Sequence, residues 1–143
     1  MLDESQAMLD LRVEGSNDWI LALQLVAWAE IELGHVERAV QRCDELMEAG
    51  RRHVWFLGRY ESLKLYQFLL HSLDEPEPAA ILDGQLKNRW FVPGFGRSER
   101  DVDGWLDRSM PPDRRNELAA RGATMTPAEL HANAREAALR HLE

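Results

Sequence analysis

Several groups of residues in this 143-residue chain could carry chemistry, and each has a spacing that can be weighed. The first is a basic cluster, Arg51, Arg52, His53 and Arg59, set in an otherwise acidic sequence. Guanidinium groups pair with carboxylate and phosphate through two parallel hydrogen bonds, so the cluster suits an anionic ligand or an acidic peptide, with Arg89 and Arg97 as further members. A plainer account is that Arg51 and Arg52 close a helix, where positive charge meets the last carbonyls. The second group is the loop aromatics Trp90, Phe91 and Phe95, flanked by Gly94 and Gly96, which let the chain bend. Aromatic anchors carry much of the energy of a binding surface. The candidate binding residues are therefore Arg51, Arg52, Tyr60, Trp90 and Phe91. Trp19, Trp28, Trp55, Phe56, Tyr66, Phe68 and Trp105 fall in helical stretches, where aromatics usually fill a core.

Catalytic and metal-binding patterns are weaker. Glu32 and His35 have the spacing that lets two ligands share a metal on one helix face, but no second such pair follows and Gly34 ends the helix between them. His131 and His141 are too far apart along one helix to meet at a single site. Cys43 falls on an apolar helix face and reads as a small buried hydrophobe, not as an activated thiolate. Ser16, Ser62, Ser72, Ser98 and Ser109 lack the GxSxG elbow, and no GxxxxGK[ST] phosphate loop is present. These patterns predict no enzyme activity, no metal and no cofactor.

The elements that must position these residues are helical. Apolar residues make up 45% and charged residues 29%, a globular balance for one domain. A net charge of -8 argues against direct contact with nucleic acid, whose phosphates need a basic face. One cysteine excludes an internal disulfide and fits a reducing compartment. No signal peptide is visible, and the uncharged run from Trp19 to Ala29 is too short to span a bilayer. A cytoplasmic location follows as the expectation. Strand alternation is nearly absent, so the chain is expected to be all-α, a single domain of five to seven helices. Expected helices cover about 2–13, 18–33, 36–49 and 53–73, the last apolar on more than one face and so central. Residues 74–98 are expected as an irregular connector, broken by Pro76 and Pro78, with a short helix over 79–87. Helices are then expected over about 100–110, 113–121 and 126–142, with Gly50 and Gly122 as stops. The last opens on Thr126, Pro127, Ala128 and Glu129, a capping box with proline at the first helical position.

Ala27, Gly34 and Ala39, with the run LGHVERA (Leu33 to Ala39), resemble a tetratricopeptide (TPR) unit, whose two antiparallel helices approach through small residues. Leu118, Ala119, Gly122, Met125, Thr126 and Glu129 in the tail resemble the closing segment of ATPase-linked LuxR-type regulators and related adenylate-cyclase-linked bacterial proteins. Arg115, Asn116 and the Pro111–Pro112 pair depart from that pattern. The likeness covers about 20–50 and 98–142. It implies TPR-like hairpins in a regulatory protein, binding a protein segment or a small ligand without catalysis. The alternative is a small-molecule-binding bundle with an aromatic pocket, with or without enzymatic activity. Apolar faces could also serve a homodimer.

Overall fold

The computed structural model describes residues 2–11, 17–52, 57–87 and 101–143, the side chains of 17 and 57–59 aside. Trp90 and Phe91 lie outside the described residues, as do Trp55, Phe56, Phe95 and His53. The chain is all-helical, and no strand forms among the described residues. Among the described residues eight α-helices run in order: α1 Leu2–Leu11, α2 Asn17–Glu32, α3 Val36–Arg52, α4 Leu57–Ser72, α5 Pro76–Leu86, α6 Val102–Ser109, α7 Pro112–Ala123 and α8 Pro127–Leu139. A short 3-10 turn, Arg140–Leu142, closes the chain. The count exceeds the expected five to seven by one.

Two hairpins form the frame, and they repeat. α2 and α4 begin at 17 and 57, and α3 and α5 begin at 36 and 76, an offset of 40 residues in both pairs. The turns match bond for bond. In the first, the His35 N–H donates to the Glu30 carbonyl and the Gly34 N–H to that of Ile31. In the second, the Glu75 N–H donates to Leu70 and the Asp74 N–H to His71. Each is a Schellman closure, which needs a left-handed residue just past the helix. Gly34 takes it at φ 75 and Asp74 at φ 54. Burial repeats too: Leu23 and Leu63, Ala39 and Ala79, Leu46 and Leu86 are paired core positions. Trp28 and Phe68, also 40 apart, stack edge to face with centroids 5.4 Å apart.

The start of the expected connector is a helix. Pro76 and Pro78 stand in the first turn of α5, where backbone N–H groups have no intrahelical acceptor, so the prolines cost no bond and begin the helix. Pro112 does the same for α7, while Thr126 and Glu129 form the expected capping box on α8. Gly50 and Gly122 lie inside α3 and α7 and end neither. α4 is buried nearly all round and packs against α2, α3, α5 and α8, the central place expected for it. α7 runs against α5. α8 turns away from α7 and lies on α4, with α3 and α5 to either side.

Candidate functional site

α3 presents a half-exposed polar face beside the first turns of α2. An open hollow of about 510 Å³ lies there, lined by Trp19 from α2 and by Gln41, Asp44, Glu45, Glu48, Ala49 and Arg52 from α3. Residues 41, 45, 48 and 52 recur at helical spacing, so one face of α3 supplies most of the wall. Trp19 and Ala49 give it apolar surface, and the rest give it charge.

Of the residues expected to bind, Arg52 lines this hollow and Arg51 sits beside it at the end of α3. Neither stands as an isolated cation. Arg51 Nη1 lies 3.5 Å from Glu48 and Arg52 Nη2 lies 3.4 Å from the same carboxylate. Glu45 likewise pairs with Arg42 at 3.1 Å. Tyr60 is half-buried in the first turn of α4 and packs on the core; it is not among the described lining residues of the hollow. The remaining two candidates, Trp90 and Phe91, fall outside the described residues.

Asp44 links the hollow to the C-terminal helix. Tyr66 Oη donates to Asp44 Oδ1 at 2.7 Å, His131 Nε2 to the same oxygen at 2.7 Å, and Arg135 Nε to Oδ2 at 3.0 Å. Burial raises the Asp44 carboxyl, but the hydrogen bonds from His131, Tyr66 and Arg135 outweigh it and hold the group below the usual carboxylate range. Burial, with the charge of Asp44 beside it, pushes the Cys43 thiol far up, so it stays protonated and unreactive at neutral pH. Tyr66 is pushed up as well, chiefly by burial. This cluster escaped the sequence reading. His131 and Arg135 are one turn apart on one helix face, which is legible, but Asp44 lies 87 residues away from His131.

A second cluster centres on Arg115. It donates to Asp83 at 3.0 Å, to Asp103 at 2.6 Å and to Asp107 at 2.6 Å, joining α7 to α5 and α6. Asp83 also accepts from Gln67 Nε2 at 2.9 Å, which carries the network into α4. Desolvation opposes the charge on Arg115, yet three carboxylates raise its pKa above the ordinary arginine value. Another open hollow, of about 400 Å³, lies where α7 and α8 part; Ile81, Leu118 and Ala137 line it together with Arg114, Arg121 and Arg140.

The other patterns resolve as structure. His35 turns to the buried Glu30, with Nδ1 and Oε2 2.6 Å apart, and not to Glu32. His131 and His141 meet different carboxylates, Asp44 and Glu75. Among the described residues no group of three His, Cys, Asp or Glu is placed to hold a metal, and no helix is long and apolar enough to cross a membrane. The chain matches no family model, no curated protein and no solved structure.

Proposed function

We propose that this chain is a non-catalytic interaction or sensor module of a bacterial regulatory protein, working in the cytoplasm and taking a protein segment into the hollow on α3. The observation that carries the reading is the form of that hollow: about 510 Å³, open to solvent, with Trp19 and Ala49 set among Asp44, Glu45, Glu48 and Arg52. Small-molecule sites enclose most of their ligand, whereas an open wall of mixed apolar and charged groups suits a chain segment laid across it. Successive helical hairpins at a 40-residue offset, longer than the roughly 34-residue period of a TPR, support a stacked helical array, whose units characteristically present extended binding surfaces. The resemblance of the tail to LuxR-type regulators points the same way. Burial of the only thiol, Cys43, supports a non-catalytic role.

The test is selection of peptides from a random displayed library on the full chain. Binders to this hollow lose roughly tenfold in affinity with Trp19→Ala and change their charge preference with Arg52→Glu. Arg52→Glu, at an exposed side chain, leaves the melting temperature near the parent value, whereas Trp19→Ala lowers it because the indole packs partly on the core, so its affinity is compared well below its own transition. Binders indifferent to both substitutions, or a small molecule retained by the purified chain in native mass spectrometry, would overturn the reading.

A further inference from the structure

Asp44 serves two places at once. It stands in the wall of the hollow on α3, and it is the carboxylate that holds α8 through His131 and Arg135. The other two acids of that wall are paired within α3 itself, Glu45 with Arg42 and Glu48 with Arg51 and Arg52. Asp44 takes its partners from other helices: Tyr66 on α4, and His131 and Arg135 on α8.

Its two oxygens are held differently. Oδ1 accepts from Tyr66, which is fully buried, and from His131, which is largely covered. Those two bonds fix the direction of the carboxylate. Among the described residues Oδ2 accepts only from Arg135, whose side chain is 48% exposed, so a cation arriving from solvent can take its place. Charge favours such a cation. The described wall carries three carboxylates, Asp44, Glu45 and Glu48, against one guanidinium, Arg52, and Trp19 adds an aromatic ring of the kind that attracts cations. Asp44 is ionised at neutral pH, because its donors hold the carboxyl below the usual range.

Resting on the reading that this hollow takes a protein segment, we infer that the segment is basic and that its Lys or Arg takes Asp44 Oδ2 in place of Arg135. Occupancy of the hollow and the tie to α8 then oppose each other, because one carboxylate oxygen serves both. The effect is reciprocal by linkage: removing Arg135 from Asp44 strengthens the hold of the hollow on the segment. α8 also buries Leu130, Ala134, Ala137 and Ala138, so the segment loosens the helix at Arg135 without detaching it.

The probe is a peptide from the displayed library whose binding falls with Trp19→Ala, used beside a copy in which its basic residue is replaced by glutamine. Both are titrated into the full chain by calorimetry, and α8 is followed by amide hydrogen exchange. The glutamine copy is expected to bind the parent chain roughly tenfold more weakly, and the two peptides to bind Asp44→Asn alike. Arg135→Gln should strengthen the basic peptide about threefold, the opposite of what a merely supporting arginine would give. Saturation with the basic peptide should speed amide exchange in α8 by several-fold. Trp19-sensitive binders without Lys or Arg, or with no gain on Arg135→Gln, would overturn this inference and leave the hollow as a segment site. A library that yields no Trp19-sensitive binder would overturn both.

Discussion

The two hairpins share a register, a turn and a core, and they differ at two adjacent positions that decide what each receives. Position 43 of the first hairpin is Cys, and its counterpart 40 residues on is Asp83; position 44 is Asp, and its counterpart is Gly84. In the first hairpin the buried side chain is apolar and its neighbour is a carboxylate. Asp44 reaches Tyr66, His131 and Arg135 and so ties down α8. In the second the carboxylate has moved to the inner position, where Asp83 takes Arg115 of α7, and a glycine stands beside it. A Cβ on Gly84 would run into the backbone of α7 at Ala119 and Ala123, and one on Gly122 would run into the Ile81 carbonyl. The second seam is thus a backbone-to-backbone contact with a charge clamp, further closed by Gln85, whose Nε2 donates to the Ala123 carbonyl at 3.0 Å. The first is a side-chain contact, in which Leu130, Ala134, Ala137 and Ala138 of α8 are buried. One scaffold takes two different helices because one atom too many at position 84 would exclude the second.

The largest expected effect comes from erasing that difference. Gly84→Asp gives the second hairpin the side chain of the first, and α5 and α7 then have to separate. Forced overpacking against backbone costs about 3 kcal/mol, which for a domain of this size lowers the melting temperature by roughly 10 °C. The converse change, Asp44→Gly, adds no atom and should cost less. If Gly84→Asp melts near the parent temperature, the close approach of α5 and α7 is not what holds α7.

Much of this frame was legible and some was not, for reasons that particular residues make plain. Gly34 and the Thr126–Glu129 box act over three or four residues, so their meaning is local and readable. Pro76 and Pro78 looked like a break because proline is harmful inside a helix and harmless in its first turn, and the first turn is fixed by the Asp74 closure upstream. Gly122 read as a stop because a glycine needed for tertiary approach is indistinguishable in sequence from one needed for a turn. The repeat was hidden because few identities survive between the units, among them Leu23/Leu63, Leu33/Leu73, Ala39/Ala79 and Leu46/Leu86. At the candidate site, Arg52 was found and Trp19 and Asp44 were not. Their relevance depends on which helix lies next to which, and sequence spacing does not carry that.

The charge clamps should separate the seams by pH and by magnitude. Arg115→Met strands Asp83, whose side chain is only 8% exposed, and should cost about 3 kcal/mol. Most of that cost should return when Asp83→Asn is added, since the amide still accepts from Gln67; a double-mutant cycle in urea measures this. Asp44→Asn should cost less, about 1 kcal/mol, because the amide oxygen still accepts and the site is partly solvated. The pH dependence has a definite sign. The folded Asp44 carboxyl lies below its ordinary 3.8, so on acidification the unfolded chain takes up this proton first. The stability it contributes is complete well above pH 3.8 and is lost as pH falls through the lower folded value. The gap between parent and Asp44→Asn should therefore be level at neutral pH and close in acid. A gap that widens below pH 4 would contradict the Asp44 clamp.

The smallest effect sharpens the comparison at the turns. Gly34 adopts φ 75 with open space around its missing Cβ, whereas Asp74 holds a left-handed φ of 54 despite its side chain. Relieving that conformation with Asp74→Gly should gain about 0.5–1 kcal/mol. Asp74 Oδ1, however, accepts from the Trp105 indole N–H at 3.1 Å, the bond that ties α6 to this turn. Losing it should cost about 1 kcal/mol and leave a largely buried donor unmet. The two effects oppose, so Asp74→Gly alone should change stability by only a few tenths of a kcal/mol. In a Trp105→Phe background the indole donor is gone, and the same Asp74→Gly should stabilise by about 0.5–1 kcal/mol. Gly34→Asp, with no partner to recover the strain, should destabilise by a similar amount. If Asp74→Gly behaves alike in both backgrounds, the aspartate is not kept at the second turn for α6, and the turns differ by chance alone.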